Sequence, residues 1–423
     1  MIDIVITANS PGEVAAWVKP VVKEIKQIYK NSQIHVFLPP CMFASGSEKD
    51  VLKDYTHVDT VFDKNQYLKY VILNRKPAGF SPGHKGIVIF LGGDLFHAVI
   101  LGKKLNYPVV AYTEGVYNWG SKIDKFMVPD KRTENKLLAK GADKNKVIVI
   151  GNLMLDAVEP GLSREELNEI ITIDDYFTIT LFPGSRPAEV DYMLPFFMES
   201  IMLFLQNRTE DRNKFRIFLS RSPFVSEEQL SSIFSDFLDS LELKGNYVHK
   251  ENYDILRVYD SNRGSDNTSV EIYSFASSQY TLMQVTDLAV TIPGTNNLEL
   301  ASFGTPMLVL LPLNKPEGIP LEGPLGMIGQ IPVLGTILKR IFIPRMAEKI
   351  KYFSLINRIA DEKIAAEIKG VLKPSDLVRE IEYLIDNKVK LNDMSYRLKE
   401  VAGEKGAAKS LCQIVNQVLF SYH

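Results

Sequence analysis

Short stretches of this 423-residue chain place glycine, acids and an arginine at spacings suited to a charged ligand. In P-G-S-R-P-A-E-V, Pro183 to Val190, a glycine turn follows the apolar run Phe177–Phe182. Pro187 fits the first position of a helix, where its missing N–H costs nothing. Gly184, Ser185 and Arg186 then stand at a helix mouth, where backbone N–H groups and a guanidinium fork could meet a phosphate. An ion pair between Arg186 and Glu189 is the competing reading. The stretch Asp287–Leu311 repeats the theme. Pro293 and Gly294 break a strand over Asp287–Ile292, a helix is expected over Thr295–Phe303, and Met307–Leu311 is a further strand. Gly294, Thr295 and Asn296 open that helix, with Glu299 one turn in. Asn296 and Glu299, three apart, also match a capping box, which needs no ligand.

The first half offers acids in comparable places. T-A-N-S-P-G-E-V puts Gly12 and Glu13 between a first strand and a first helix. This is a ligand turn or simply a helix start with an acid in it. Asp94, in F-L-G-G-D-L-F-H, can cap the following helix or act as a general base. His97, one turn later, is more often packed than catalytic. Tyr112–Gly120 reads Y-T-E-G-V-Y-N-W-G, an aromatic loop carrying Glu114. It suits a pocket wall or a cover for the sheet edge.

These turns need strands and helices to hold them. Short β-branched runs at Ile4–Thr7, Ile34–Leu38, Val58–Phe62, Ile87–Leu91, Val109–Tyr112, Lys125–Val128 and Val147–Ile150 alternate with helical spacing at Val14–Tyr29 and Leu95–Leu105. That alternation predicts βαβ units and a mostly parallel sheet. A linker within 157–176 separates a second α/β half. Residues 1–160 and 161–400 are therefore read as two Rossmann-like domains, with 401–423 a helix returning to the first. Lys244–Ser269 reads as an exposed insertion or hairpin, and the end of the chain as helices near Asp376–Asp386, Met394–Val401 and Lys409–Phe420.

Composition narrows the classes. Hydrophobic residues make up 45% and charged residues 24%, as in a soluble globular chain. A net charge of −2 lacks the basic surplus expected of a nucleic-acid binder. Cys41 and Cys412 stand far apart without neighbouring ligands, which favours a reduced cytoplasmic setting and no structural zinc. The start, M-I-D-I-V-I-T, lacks the form of a signal peptide, and no run is long enough to span a bilayer. The apolar segment 318–344, carrying Lys339 and Arg340, could line a lipid-accepting cleft, touch a membrane surface or form core.

Taken together, the motifs resemble the lipid A disaccharide synthase family and the two-Rossmann architecture of B-type (GT-B) glycosyltransferases. F-T-I-T-L-F-P-G-S-R-P-A-E-V is similar to that family's L-L-P-G-S-R-x-x-E-I. D-L-A-V-T-I-P-G-T-N-N-L-E-L-A-S-F-G-T-P-M is similar to its A-D-L-A-L-x-A-S-G-T-x-T-L-E-x-A-L-x-G-T-P-M. Phe353–Ala360 with Glu367 resembles its I-S-L-x-N-L-x-A…P-E segment. F-L-G-G-D and I-G-N-L-M-L-D, the latter ending at Asp156, are looser counterparts of its G-I-D and V-G-H-P-L-L-D. The family's G-E-x-S-G-D turn keeps only Gly12-Glu13 here. Its S-P-S-V-W-A-W loop is E-G-V-Y-N-W, and the histidine of V-G-H-P is Asn152.

The resemblance implies two domains facing a cleft and an inverting, metal-independent transfer of a sugar from a UDP-sugar, with no cofactor. It implies that Arg186, Gly294 and Thr295 hold the diphosphate, Glu299 the ribose, and Asn357 the nucleotide, with Asp94 the base and Glu114 a second candidate. The departures fall in the acceptor half. The acceptor therefore stays open, a lipid-linked one met at a membrane surface being one option. A UDP-N-acetylglucosamine 2-epimerase or a non-catalytic nucleotide-sugar-binding protein are the alternatives.

Overall fold

The structure is a computed structural model and describes residues 2–9, 11–40, 48–53, 55–223, 225–259, 270–276, 278–314, 345 and 347–421. Cys41 and the segment 318–344 lie outside the described residues. The chain divides into two compact units, Met1–Val158 with Gly403–His423, and Glu159–Ala402.

Among the described residues the first unit carries seven parallel strands: β1 (Ile2–Thr7), β2 (Ser32–Phe37), β3 (Thr60–Phe62), β4 (Gly86–Phe90), β5 (Val109–Tyr112), β6 (Lys125–Val128) and β7 (Val147–Val149). Their order is β3-β2-β1-β4-β5-β6-β7. β1 and β4 are adjacent and in parallel register, with Thr7 opposite Phe90. The inner strands are apolar throughout because helices cover both faces; all of Gly86–Phe90 is buried. The helix expected at Val14–Tyr29 begins at Pro11, passes through a wider π-type turn over Val14–Val18 and continues as Lys19–Ile28. Leu95–Leu105 is a helix with the predicted ends.

The end of the chain packs into this first unit. Helix Ala407–Ser421 packs against Lys19–Ile28 and buries Leu411, Ile414, Val415, Val418 and Leu419 in the same cluster as Ile4, Ile6 and Ile89. Its start is held by Asp156, whose carboxylate accepts the N–H groups of Gly406 and Ala408, each at 2.6 Å. Cys412 is fully buried in that cluster, where loss of solvent pushes its thiol up to about 12.

The second unit carries β8 (Phe177–Phe182), β9 (Phe215–Arg221), β10 (Lys244–His249), β11 (Asp254–Tyr259), β12 (Val270–Ala276), β13 (Leu288–Thr291), β14 (Met307–Pro312) and β15 (Ala366–Gly370). Their order is β10-β11-β12-β9-β8-β13-β14-β15. The Lys244–Ser269 stretch contributes the antiparallel hairpin β10–β11, which joins the sheet antiparallel to β12. Every other pairing is parallel. Both units are therefore doubly wound α/β folds, and no described helix is long and apolar enough to cross a membrane.

Candidate functional site

In an open parallel sheet, ligands settle where two neighbouring strands send their connections in opposite directions. In the second unit that point lies between β8 and β13. β8 connects onward to β9 on one side, and β13 flanks it on the other. The turns leaving them are P-G-S-R and I-P-G-T, so strand order brings together two motifs separated by about a hundred residues in sequence. They touch: a Cβ at Gly184 would lie 3.0 Å from Ile292 Cδ1. Gly184 has φ +118°, a conformation open to glycine, and the same Cβ would strike the Glu189 side chain at 2.6 Å.

Glu189 gives this turn its form. One carboxylate oxygen accepts the N–H groups of both Ser185 and Arg186 at 3.2 Å. The other takes Arg186 Nη1, also at 3.2 Å. The ion pair weighed against a ligand role thus exists, and the helix-mouth donors of Pro187–Asn207 already meet an internal carboxylate. The Arg186 side chain is nonetheless 63% exposed, so the rest of its fork reaches solvent. Ser222 Oγ, beyond β9, donates to Ser185 O and braces the turn.

The second turn opens helix Asn296–Phe303. Thr295 is its N-terminal boundary and makes no side-chain cap. The capping box read from Asn296 and Glu299 does not form. Asn296 Nδ2 instead turns back to Thr291 Oγ1 at 2.9 Å. Glu299 accepts from Tyr280 Oη at 3.3 Å. Burial pushes the Glu299 carboxyl up to about 7, against the smaller opposing effect of the Tyr280 hydroxyl. An acid whose carboxyl is raised by burial and that has no capping duty, at a sheet switch point, is the strongest chemical signal in this unit.

Asn357 differs from its expected place at the nucleotide. It is fully buried, its amide donates to Ala365 O, and its carbonyl accepts from Ile364 N and Ala365 N at 2.8 Å. With both lone pairs used internally, it positions the Ile364–Ala365 loop. Glu367 likewise takes Ser354 N at 2.8 Å and Phe353 N, fixing the start of helix Leu355–Ala360. Sequence reading missed Asn297. It is fully buried, donates to Ile292 O and accepts from Leu355 N at 3.4 Å, tying the β13 turn to that helix. Nothing in the N-N pair marks which asparagine points inward.

The first unit has its switch point between β1 and β4. Glu13 spans it, accepting Asn9 N at 3.0 Å and, eighty residues on, Gly93 N at 3.1 Å. The carboxylate thus clamps two turns, a role neither sequence reading contained. Gly12 is exposed with open space where a Cβ would stand. Gly92 cannot vary in this way: at φ +141° its Cβ would sit 2.1 Å from the Glu13 carboxyl. Gly92→Ala is expected to cost about 2 kcal/mol or more, from strain plus loss of the clamp. A thermal melt should show a drop of several degrees, and an unchanged midpoint would refute the clamp.

Asp94 caps Leu95–Leu105 through Phe96 N at 2.9 Å, and stays exposed. His97 Nδ1 pairs with Tyr67 Oη at 2.7 Å, and burial holds the imidazole below its ordinary pKa, against the smaller opposing effect of Asp94. Glu114 is exposed on the loop after β5. Among the described residues, Glu227, His249 and Asp254 approach one another closely enough to share an ion. His249 Nδ1 bonds Asp254 at 2.7 Å and Arg221 lies 3.6 Å from the same carboxylate, so the group stands as an ion-pair network.

No family model matches the chain. Seven curated relatives do, each a lipid-A-disaccharide synthase. The protein of Syntrophus aciditrophicus is 22% identical over 268 residues, 62% of this chain and 55% of that one. That of Persephonella marina is 25% identical over 286 residues, covering 66% and 61%. The chain thus spans little more than half the length of these relatives, and is distantly related to them. Among solved structures, the UDP-GlcNAc 2-epimerase of Neisseria meningitidis bound to UDP-GlcNAc covers 100% of both chains at TM-score 0.54 and 15% identity. The S. aureus MnaA–UDP co-structure gives TM-score 0.57 at 14% identity, covering 100% of this chain and 97% of that one. Those likenesses show the fold, the two-Rossmann GT-B architecture.

Proposed function

We propose that this chain is a hexosyltransferase distantly related to lipid A disaccharide synthase. In this reading it moves a sugar of the N-acetylhexosamine type from a UDP-sugar to an acceptor hydroxyl, with inversion and without a resident metal. The observation that carries the reading is the junction of the P-G-S-R and I-P-G-T turns at the second unit's switch point, with Glu299 beside them.

The donor's diphosphate takes the outward part of the Arg186 fork and the N–H groups of Thr295 and Asn296 at the head of helix Asn296–Phe303, since those of Asn297 and Leu298 already donate to Gly294 O and Thr295 O. Glu299, ionised, accepts from the ribose hydroxyls. Asp94, with Glu114 as the second candidate, removes the proton from the acceptor hydroxyl. The acceptor oxygen then forms a bond to the anomeric carbon. The bond from that carbon to the diphosphate oxygen breaks, and its electron pair leaves with UDP. Single displacement at one carbon inverts it. The leaving charge is met by Arg186 and the helix start, the kind of fixed donor set that stabilises developing anions. A lipid-linked acceptor, met at a membrane surface on the cytoplasmic side, completes the proposal.

Calorimetry with UDP and UDP-N-acetylglucosamine tests it. Binding is expected, and Arg186→Ala should weaken it by about tenfold or more, the worth of a charge-assisted contact. Absence of heat at millimolar nucleotide would overturn the reading. Donor incubated alone should stay unepimerised; accumulation of the 2-epimer would make the protein an epimerase instead.

A further inference from the structure

We propose that Phe96 and Trp119 form a subsite for a neutral hexopyranose ring, stacked by its C–H face on the two aromatic side chains; this deepens the reading above by assigning the ring of the acceptor. The two residues leave different turns, after β4 and β5, and their ring centroids lie 5.4 Å apart at 38°. Both rings stay partly open to solvent, Phe96 at 40% and Trp119 at 48% exposure.

The backbone holds Trp119 outward at a cost. Its φ of +59° is left-handed, a region that a bulky residue rarely occupies without being held there. The loop supplies that hold on both sides. Thr113 Oγ1 accepts from Gly115 N and Val116 N. Lys140 Nζ donates to Gly115 O at 2.7 Å, and Lys146 Nζ to Gly120 O at 3.2 Å. Tyr117 packs its ring on Phe126 and reaches Gly141 O. Phe96 is backed by His97, itself fixed by Tyr67. A rigid aromatic pair binds with little further ordering cost.

The chemistry around the rings selects the occupant. Asp94 accepts from Phe96 N, so its carboxylate lies at the foot of one ring, and Glu114 is exposed on the loop bearing the other. Carboxylates accept from sugar hydroxyls, while Lys140 and Lys146 are engaged by the loop's own carbonyls at Gly115 and Gly120. An apolar ring face with hydroxyls at its edge fits this combination; a bare alkyl chain or a phospholipid headgroup does not.

The chain has two tryptophans, Trp17 and Trp119. Trp17 packs edge-on against Tyr112 and its buried Nε1 has no hydrogen-bond partner among the described residues, so Trp17→Phe removes none of the described bonds and leaves Trp119 the sole reporter. Methyl N-acetyl-β-glucosaminide and methyl β-glucoside should then produce a saturable fluorescence change in the millimolar range. Phe96→Ala, or Phe96→Leu if the alanine variant does not fold, should weaken it by about tenfold, and Arg186→Ala should leave it unchanged. No saturable response to either glycoside would overturn the subsite, as would a response to phosphatidylglycerol vesicles without one to the glycosides. UDP calorimetry on the same protein separates the two claims. Nucleotide binding without a glycoside response sinks the subsite alone, while loss of both sinks the functional reading as well.

Discussion

Glu299→Gln is expected to stabilise the fold and weaken donor binding at the same time. The carboxyl of Glu299 is raised from 4.5 to about 7, with burial the first cause. A folded-state value above the unfolded one means that the native state binds more protons between the two. Stability is therefore fully present below pH 4.5 and declines as pH rises through about 7. At pH 8 glutamine removes that penalty, worth about 1–3 kcal/mol, while keeping an acceptor for Tyr280 Oη. Donor affinity should move the other way. Losing a carboxylate that accepts ribose hydroxyls costs about 10–100-fold. The wild-type protein carries its own control. Only ionised Glu299 is the full acceptor, so affinity for UDP-N-acetylglucosamine should fall about tenfold from pH 8 to pH 6. The glutamine variant should lose that slope. Differential scanning calorimetry and titration calorimetry on the same samples read both effects. A variant that melts higher yet binds the donor as before would leave Glu299 a half-buried acid without a ligand.

Removing residues 403–423 is expected to unfold the first unit outright. The helix Ala407–Ser421 buries Leu411, Ile414, Val415, Val418 and Leu419 in that unit's core. At about 1.5–3 kcal/mol each these five alone account for roughly 8–15 kcal/mol of gross burial, as much as a typical domain's whole net stability. Asp156→Ala is the finer test. It deletes both carboxylate bonds to Gly406 N and Ala408 N, and about 2–4 kcal/mol should go with them. Hydrogen exchange should then show the helix losing protection before the strands of the second unit. Equal protection across Ala407–Ser421 in the variant would show that apolar contacts alone hold it. The motif Ile150–Asp156, read for its likeness to a family segment, thus has a definite physical duty at its last residue.

Much of the secondary structure was legible because its causes are local. Pro187 at the head of a helix, Pro293 and Gly294 ahead of another, and the alternation of β-branched runs with helical spacing are choices a few neighbours settle. Helix Leu95–Leu105 and strands Val109–Tyr112 and Lys125–Val128 have the ends that the sequence predicts. The Lys244–Ser269 stretch, rich in Asn, Asp, Gly and Lys, reads as an exposed insertion or hairpin, and its described part is the hairpin β10–β11 turning through Lys250–Tyr253. The chemistry was less legible. Asn296 and Glu299 satisfy a local capping pattern, yet Thr291 and Tyr280, both outside the helix, claim their side chains. Asn357 belongs to a nucleotide-associated motif by likeness, yet three backbone groups in Ile364–Ala365 use its amide.

The sequence by itself determined where the turns fall, which residues they carry and that two α/β units follow one another, because periodicity and breakers act within a turn or two of helix. Only the tertiary structure decided which turns meet. Strand order sets Gly184 against Ile292, and Glu13 between Asn9 and Gly93, across separations where no local signal survives. The same ordering buried Glu299 enough to raise its carboxyl, and put Phe96 beside Trp119. Partner choice at long range comes from the crossovers of a parallel sheet, and an acid's ionisation comes from the water its neighbours exclude.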